Sequence, residues 1–145
     1  MTFLLDVNVL IALIDPAHVS HDAAHHWFGK AGRTSWATCP ITENGVIRIV
    51  GHPRYPNTPG STVNVAAILA RMRELPGHVF WPDGLSLIDD ANVDISRVLT
   101  SAQVTDTYLL ALARSHEGHL ATFDRRLSSK AVNGGKTALH IIDQI

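Results

Sequence analysis

The chain of 145 residues holds a single cysteine, Cys39. An intramolecular disulfide and a CxxC metal site are therefore excluded, and a reducing cytoplasm is the expected setting. No basic segment followed by an apolar one opens the chain, and Asp6 interrupts the only candidate leader. The apolar run from Val9 to Ile14 is far too short to span a bilayer, so no membrane role is expected. Net charge is also missing: the formal value is −1, so no bulk field recruits a polyanion. Any nucleic acid must be held by local clusters of Arg and Lys. Lysine is scarce, three against nine arginines, which favours planar, bidentate recognition of phosphate or carboxylate. Repeats, low-complexity tracts and dividing linkers are absent.

What remains is ordinary globular material, 46% apolar and 17% charged. This length suits one domain, residues 1–145, able to bury roughly two thirds of its unfolded surface. Short β-type runs, "TFLLD", "TSWATC", "HVFW", "HLATF" and "LHII", alternate with helical stretches. Residues 19–29 place Ala23, Ala24, Trp27 and Phe28 on one side. Val46, Ile47 and Val50 recur at helical spacing after Thr42. After Ser61, a stripe runs through Val65, Ile68, Leu69, Met72 and Leu75. A further helix is expected from about 102 to 116, ending at Gly118, with Ser101 or Thr105 as its cap. Strands alternating with helices predict a three-layer α/β/α domain around a parallel sheet of about five strands. The strand order is open, and "GHPRYPNTPG" (51–60) reads as a surface loop.

Four acids map to the carboxyl edge of such a sheet, where open parallel sheets bind ligands. Asp6 ends the first strand, Glu43 lies in the first turn after the second, Asp106 is near the start of the long helix, and Asp124 ends "HLATF". Buried carboxylates need a partner. Four together would repel unless a cation intervened. Oxygen donors without Cys or His select a hard ion, Mg²⁺ or Mn²⁺, which would supply an activated water and neutralise a phosphate. Taken singly, each acid has a plainer reading as a cap, a turn residue or half an ion pair.

The stretches "LLDVNVLIAL", "ITENGVIRIV", "VTDTYLLALA" and "LATFDRRL" resemble, in order, the four acidic motifs of the PIN domain. The similarity is greatest to the VapC-type ribonuclease toxins of bacterial toxin–antitoxin pairs and runs from Met1 to Ile142. This resemblance implies a Mg²⁺-dependent endoribonuclease cleaving structured RNA, working as a cytoplasmic homodimer and silenced by a cognate antitoxin in its groove. It assigns Asp6, Glu43, Asp106 and Asp124 to the metal and catalytic site, with Asp6 and Asp106 as the firmest ligands. Asn8 stands where the family varies and reads as supporting a ligand or touching substrate. Thr122 matches a frequent Ser or Thr and would bond a ligand or a metal-bound water.

Other features are less telling. "HVSHDAAHH" has no HExxH pattern, so its histidines are expected on a solvated helix face rather than around zinc. Arg125 and Arg126 follow Asp124 and are candidates to hold a phosphate, as is Arg54, whose neighbour Tyr55 offers a stacking ring. Trp27, Trp36 and Trp81 are expected in the core or an interface. Two alternatives stand beside the nuclease. One is a haloacid-dehalogenase-like phosphatase with Asp6 as nucleophile, for which Asn8 is the wrong second residue. The other is a silent RNA- or protein-binding module, against which the intact set of acids argues.

Overall fold

A computed structural model describes residues 1–145. Five parallel strands form one sheet: β1 (Phe3–Leu5), β2 (Trp36–Thr38), β3 (His78–Phe80), β4 (His119–Thr122) and β5 (Leu139–Ile141). Their order is β3-β2-β1-β4-β5. Connections move outward from β1 through β2 to β3, then return to the other side of β1 as β4. The order therefore reverses between β1 and β4, and open parallel sheets bind ligands beyond the carboxyl ends of their strands at such a reversal.

Side chains alternate across each strand, so the sheet divides its apolar residues between two cores. Phe3, Leu5, Trp36 and Ala121 face one core, closed by α1 (Val7–Ile14), α2 (His21–Lys30), α3 (Pro40–Val50) and α4 (Thr62–Arg73). Leu4, Ala37 and Leu120 face the other, under α5 (Gln103–Ser115) and the short α6 (Gly135–Ala138). The three-layer α/β/α expectation therefore holds, and all five predicted strands are present. No helix is long and apolar enough to cross a membrane.

Helix α1 is the element that periodicity missed. Its sequence, VNVLIALI, is short and almost wholly apolar, with Asn8 its one polar residue; the helix is set by Asp6, whose carboxylate accepts the Val7 N–H at 2.8 Å. Helix α3 begins with Pro40, at the position where a missing N–H costs nothing, and Ser61 caps α4 through the Asn64 N–H. The expected cap of α5 is not found: neither Ser101 nor Thr105 caps it, because the chain enters through Ala102 in a helical conformation. Gln103 instead turns its Oε1 back to the Leu99 N–H at 2.8 Å. At the other end of α5, Gly118 is needed for space, since a Cβ there would stand 2.6 Å from the Thr2 carbonyl. The left-handed residue of that turn is Glu117, with φ 57°.

Two surface expectations are corrected. His21 and His25 do not simply face solvent: their rings, 4.4 Å apart, bond the Ala12 and Leu13 carbonyls at 2.7 and 2.8 Å. They satisfy the acceptors that the last turn of α1 leaves open. Tyr55 is not a free stacking ring, because its hydroxyl donates to the buried Asp15 and its ring packs on the core. Asn57 adds a bond to Asp15 at 2.7 Å, so the Pro-rich loop is pinned to the far end of α1. Asp15 carried no signal of this role in the sequence.

Candidate active site

Asp6 closes β1 and opens α1, which places its carboxylate at the point where the strand order reverses. Its backbone N–H extends the ladder to the Ala121 carbonyl at 3.0 Å, so β4 is locked alongside. The Thr122 hydroxyl at the end of β4 donates to Asp6 Oδ2 at 2.7 Å. That hydroxyl has one proton, so its other bonds are accepted ones: from Asn8 Nδ2 at 3.2 Å and from the Asp124 N–H at 3.1 Å. Asn8 Oδ1 in turn accepts the Phe123 N–H at 3.3 Å. Thr122 and Asn8 thus tie the end of β4 to the start of α1 and hold Asp6 in one orientation. Asp124, two residues on, turns its Oδ1 to the Arg126 N–H at 2.9 Å.

Asp106, in the first turn of α5, reaches the same region from the other layer. Burial, then the charges of Asp6 and Asp124, push its carboxyl up to about 6. Burial likewise raises Asp6, partly offset by the Thr122 and Val7 bonds, with Asp124 adding repulsion. None of the three ion pairs in the protein includes Asp6, Asp106 or Asp124; they are Arg73–Glu43, Arg97–Asp94 and Arg125–Asp143. Three aspartates therefore share uncompensated negative charge at the sheet's switch point. Such a group fits a hard divalent cation by its donor chemistry. Its side chains are nonetheless spread: no three acidic groups stand close enough to enclose an ion.

Glu43 lies at the same edge but is held on the β2–β3 side. Thr38 donates its hydroxyl to Glu43 Oε2 at 2.7 Å, and Arg73 Nη1 lies 3.4 Å from that oxygen. The candidate phosphate ligands scatter more widely. Arg125 pairs with Asp143 at 3.0 Å, Arg126 is exposed without an ion pair, and Arg54 sits on the loop anchored at Asp15. Sequence reasoning passed over Thr38, Arg73 and His78: Thr38 stands only five residues before Glu43, whereas the fold brings Arg73 to Glu43 from α4 and His78 to Thr38 from β3.

The sequence profile that describes the PIN domain matches residues 3–133. The chain belongs to the PIN-domain family. This PIN domain is 44% identical to the ribonuclease VapC44 of Mycobacterium tuberculosis over 134 residues, covering 92% of this chain and 94% of the relative. It is 45% identical over 134 residues to the ribonuclease VapC39 of the same organism, covering 92% and 96%. The ribonuclease VapC29 is 44% identical over 128 residues, covering 88% and 90%. A PIN-domain assignment leaves the phosphatase alternative without footing.

Proposed function

We propose that this PIN domain is a divalent-metal-dependent endoribonuclease, the toxin of a toxin–antitoxin pair, hydrolysing phosphodiester bonds in structured RNA. The observation that carries the reading is the trio Asp6, Asp106 and Asp124, whose mutual repulsion no cationic side chain relieves. A silent binding module gains nothing from such a group, because desolvated carboxylates without a cationic partner cost stability.

Asp6 and Asp106 would hold the ion, Mg²⁺ or Mn²⁺, with Asp124 and Glu43 completing its surroundings. When bound, such an ion supplies a more acidic water and positive charge against the phosphate. Thr122 keeps an Asp6 oxygen aimed, and Asn8 keeps Thr122 aimed. Asp6 and Asp106 both have raised proton affinity, so a cation would compete with protons at both. Arg125, Arg126 and Arg54 are the candidate phosphate contacts beyond the acids. The natural partners on this reading are an RNA substrate, a second copy in a homodimer, and a cognate antitoxin, all in the cytoplasm.

The test is cleavage of a structured RNA with Mg²⁺, with EDTA, and by the Asp6→Ala and Asp106→Ala variants. EDTA and both substitutions are expected to abolish cleavage. Full activity in either variant overturns the assignment.

A further inference from the structure

The one cation bonded to any of the four candidate acids is Arg73, at the end of α4. Its contact with Glu43 is loose: Nη1 stands 3.5 Å from Oε1 and 3.4 Å from Oε2. Charge-assisted bonds of this kind close to about 2.8 Å when they are firm. Glu43 does not depend on it, since Thr38 holds the same carboxylate at 2.7 Å. Thr38 spends its only proton on Glu43, so the His78 Nε2, 2.8 Å away, must carry a proton and donate to the hydroxyl oxygen. A relay from β3 through β2 thus keeps Glu43 in place whatever Arg73 does.

Arg73 has a second holder of its own. Its guanidinium lies over the Phe80 ring, 4.8 Å from the centroid, and the side chain remains 43% exposed. A guanidinium parked on an aromatic face keeps its edge donors free for a planar anion. This one stands beside Glu43, at an edge of the sheet whose carboxylates would otherwise repel a phosphodiester. Both partners of the pair are supported independently, and the bond between them is long. That combination describes a contact built to be exchanged.

We propose that Arg73 is a substrate-positioning residue: counter-ion to Glu43 in the free protein, it transfers to an RNA phosphate when substrate binds, leaving Glu43 for the cation side of the cleft. The proposal rests on the endoribonuclease reading. It assigns the RNA strand a path over the β2–β3 side of the cleft, across the Arg73–Phe80 shelf.

Two measurements on the full chain test it. In EDTA, the affinity for a fluorescently labelled RNA stem-loop is read by anisotropy; without RNA, Mn²⁺ binding is titrated by electron paramagnetic resonance. Arg73→Ala is expected to weaken RNA binding about tenfold, the value of one lost charge-assisted bond. It is also expected to tighten Mn²⁺ binding about threefold, because a competing counter-ion is gone. Opposite signs from one exposed substitution are not what a purely structural residue produces. Arg71→Ala, on the same helix and without an ion pair, is the control and should leave both affinities unchanged. Phe80→Leu removes the shelf and should weaken RNA binding without tightening Mn²⁺ binding. Unchanged RNA affinity in Arg73→Ala, looser Mn²⁺ binding, or an equal effect from Arg71→Ala overturns the proposal. Should the wild type cleave RNA while Arg73→Ala behaves like it, this inference alone falls. If the wild type neither binds nor cleaves RNA, the endoribonuclease reading falls and takes this one with it.

Discussion

Thr122 gives its only hydroxyl proton to Asp6, a residue 116 positions earlier, across a 2.7 Å bond. The bond joins the ends of two neighbouring parallel strands and aims the carboxylate at the centre of the candidate site. Thr122→Val removes the donor while keeping the shape. Metal affinity is expected to fall about tenfold or more, as for other groups that orient a ligand. Thr122→Ser should restore it. Mn²⁺ titration of the three proteins is the check, and equal affinities would refute the role.

Asp106 predicts a trade between stability and activity. Its carboxyl is raised from 3.8 to about 6, so the folded state holds the proton more tightly than the unfolded one. The charged form is the disfavoured one, and above about pH 6 the metal-free fold bears the full penalty. A shift of this size corresponds to at most about 3 kcal/mol, and solvent around the half-buried group reduces that to about 1 kcal/mol. Asp106→Asn should therefore stabilise the EDTA-treated protein at pH 7.5 by about that amount while abolishing cleavage. Urea unfolding measures the first effect and an RNA cleavage assay the second. A destabilised Asp106→Asn protein would contradict the reading.

Asp15 behaves in the opposite sense. Burial alone would raise it, but the bonds from Asn57, Tyr55 and Ala17 and the charge of His18 together hold its carboxyl below the usual 3.8. Its contribution to stability is then complete above pH 3.8 and is lost as acid carries the folded state through the lower value. Asp15→Asn should be less stable than wild type at pH 7, with the gap narrowing below pH 3.8. Thermal melts across that range decide it; a constant gap would mean that the charge is irrelevant.

The histidines of α2 act as helix caps for α1. His21→Ala and His25→Ala should each cost about 1 kcal/mol, the usual value of a hydrogen bond left unmade at a helix end. Added zinc should leave the melting temperature of the wild type unchanged. A zinc-dependent rise would revive a metal-binding role for this segment.

A divalent ion that binds only the folded chain must stabilise it, by about 2.7 kcal/mol at a hundred times its dissociation constant. Mn²⁺ should therefore raise the melting temperature of the wild type and leave Asp6→Ala unmoved. The same rise in both proteins would place the ion elsewhere.

Much of this was legible along the chain. Each strand is a short apolar run bounded by turn residues, and each of α2 to α5 shows a helical stripe or a clear stop, so the alternation and the three layers followed. The acids were readable because each stands at a strand end or in a helix's first turn, a local property. Helix α1 was not, because an eight-residue run with Asn8 as its one polar member is too short and too apolar to tell a helix from a buried strand. The cap of α5 was misassigned because Ser101 and Thr105 satisfy the composition of a cap but not its backbone geometry.

The order of residues by itself determined the α/β alternation and the placing of Asp6, Glu43, Asp106 and Asp124 at one edge of the sheet. Tertiary structure alone decided that β4 lies beside β1, and so that Thr122 meets Asp6. It alone decided that three aspartates share one field while Arg73 comes to Glu43 from another helix, and that two histidines close a helix. The reason is physical. Periodicity and capping act over a few residues, whereas hydrogen bonds and Coulomb forces depend on distances in space, which the sheet sets only once its strands are paired.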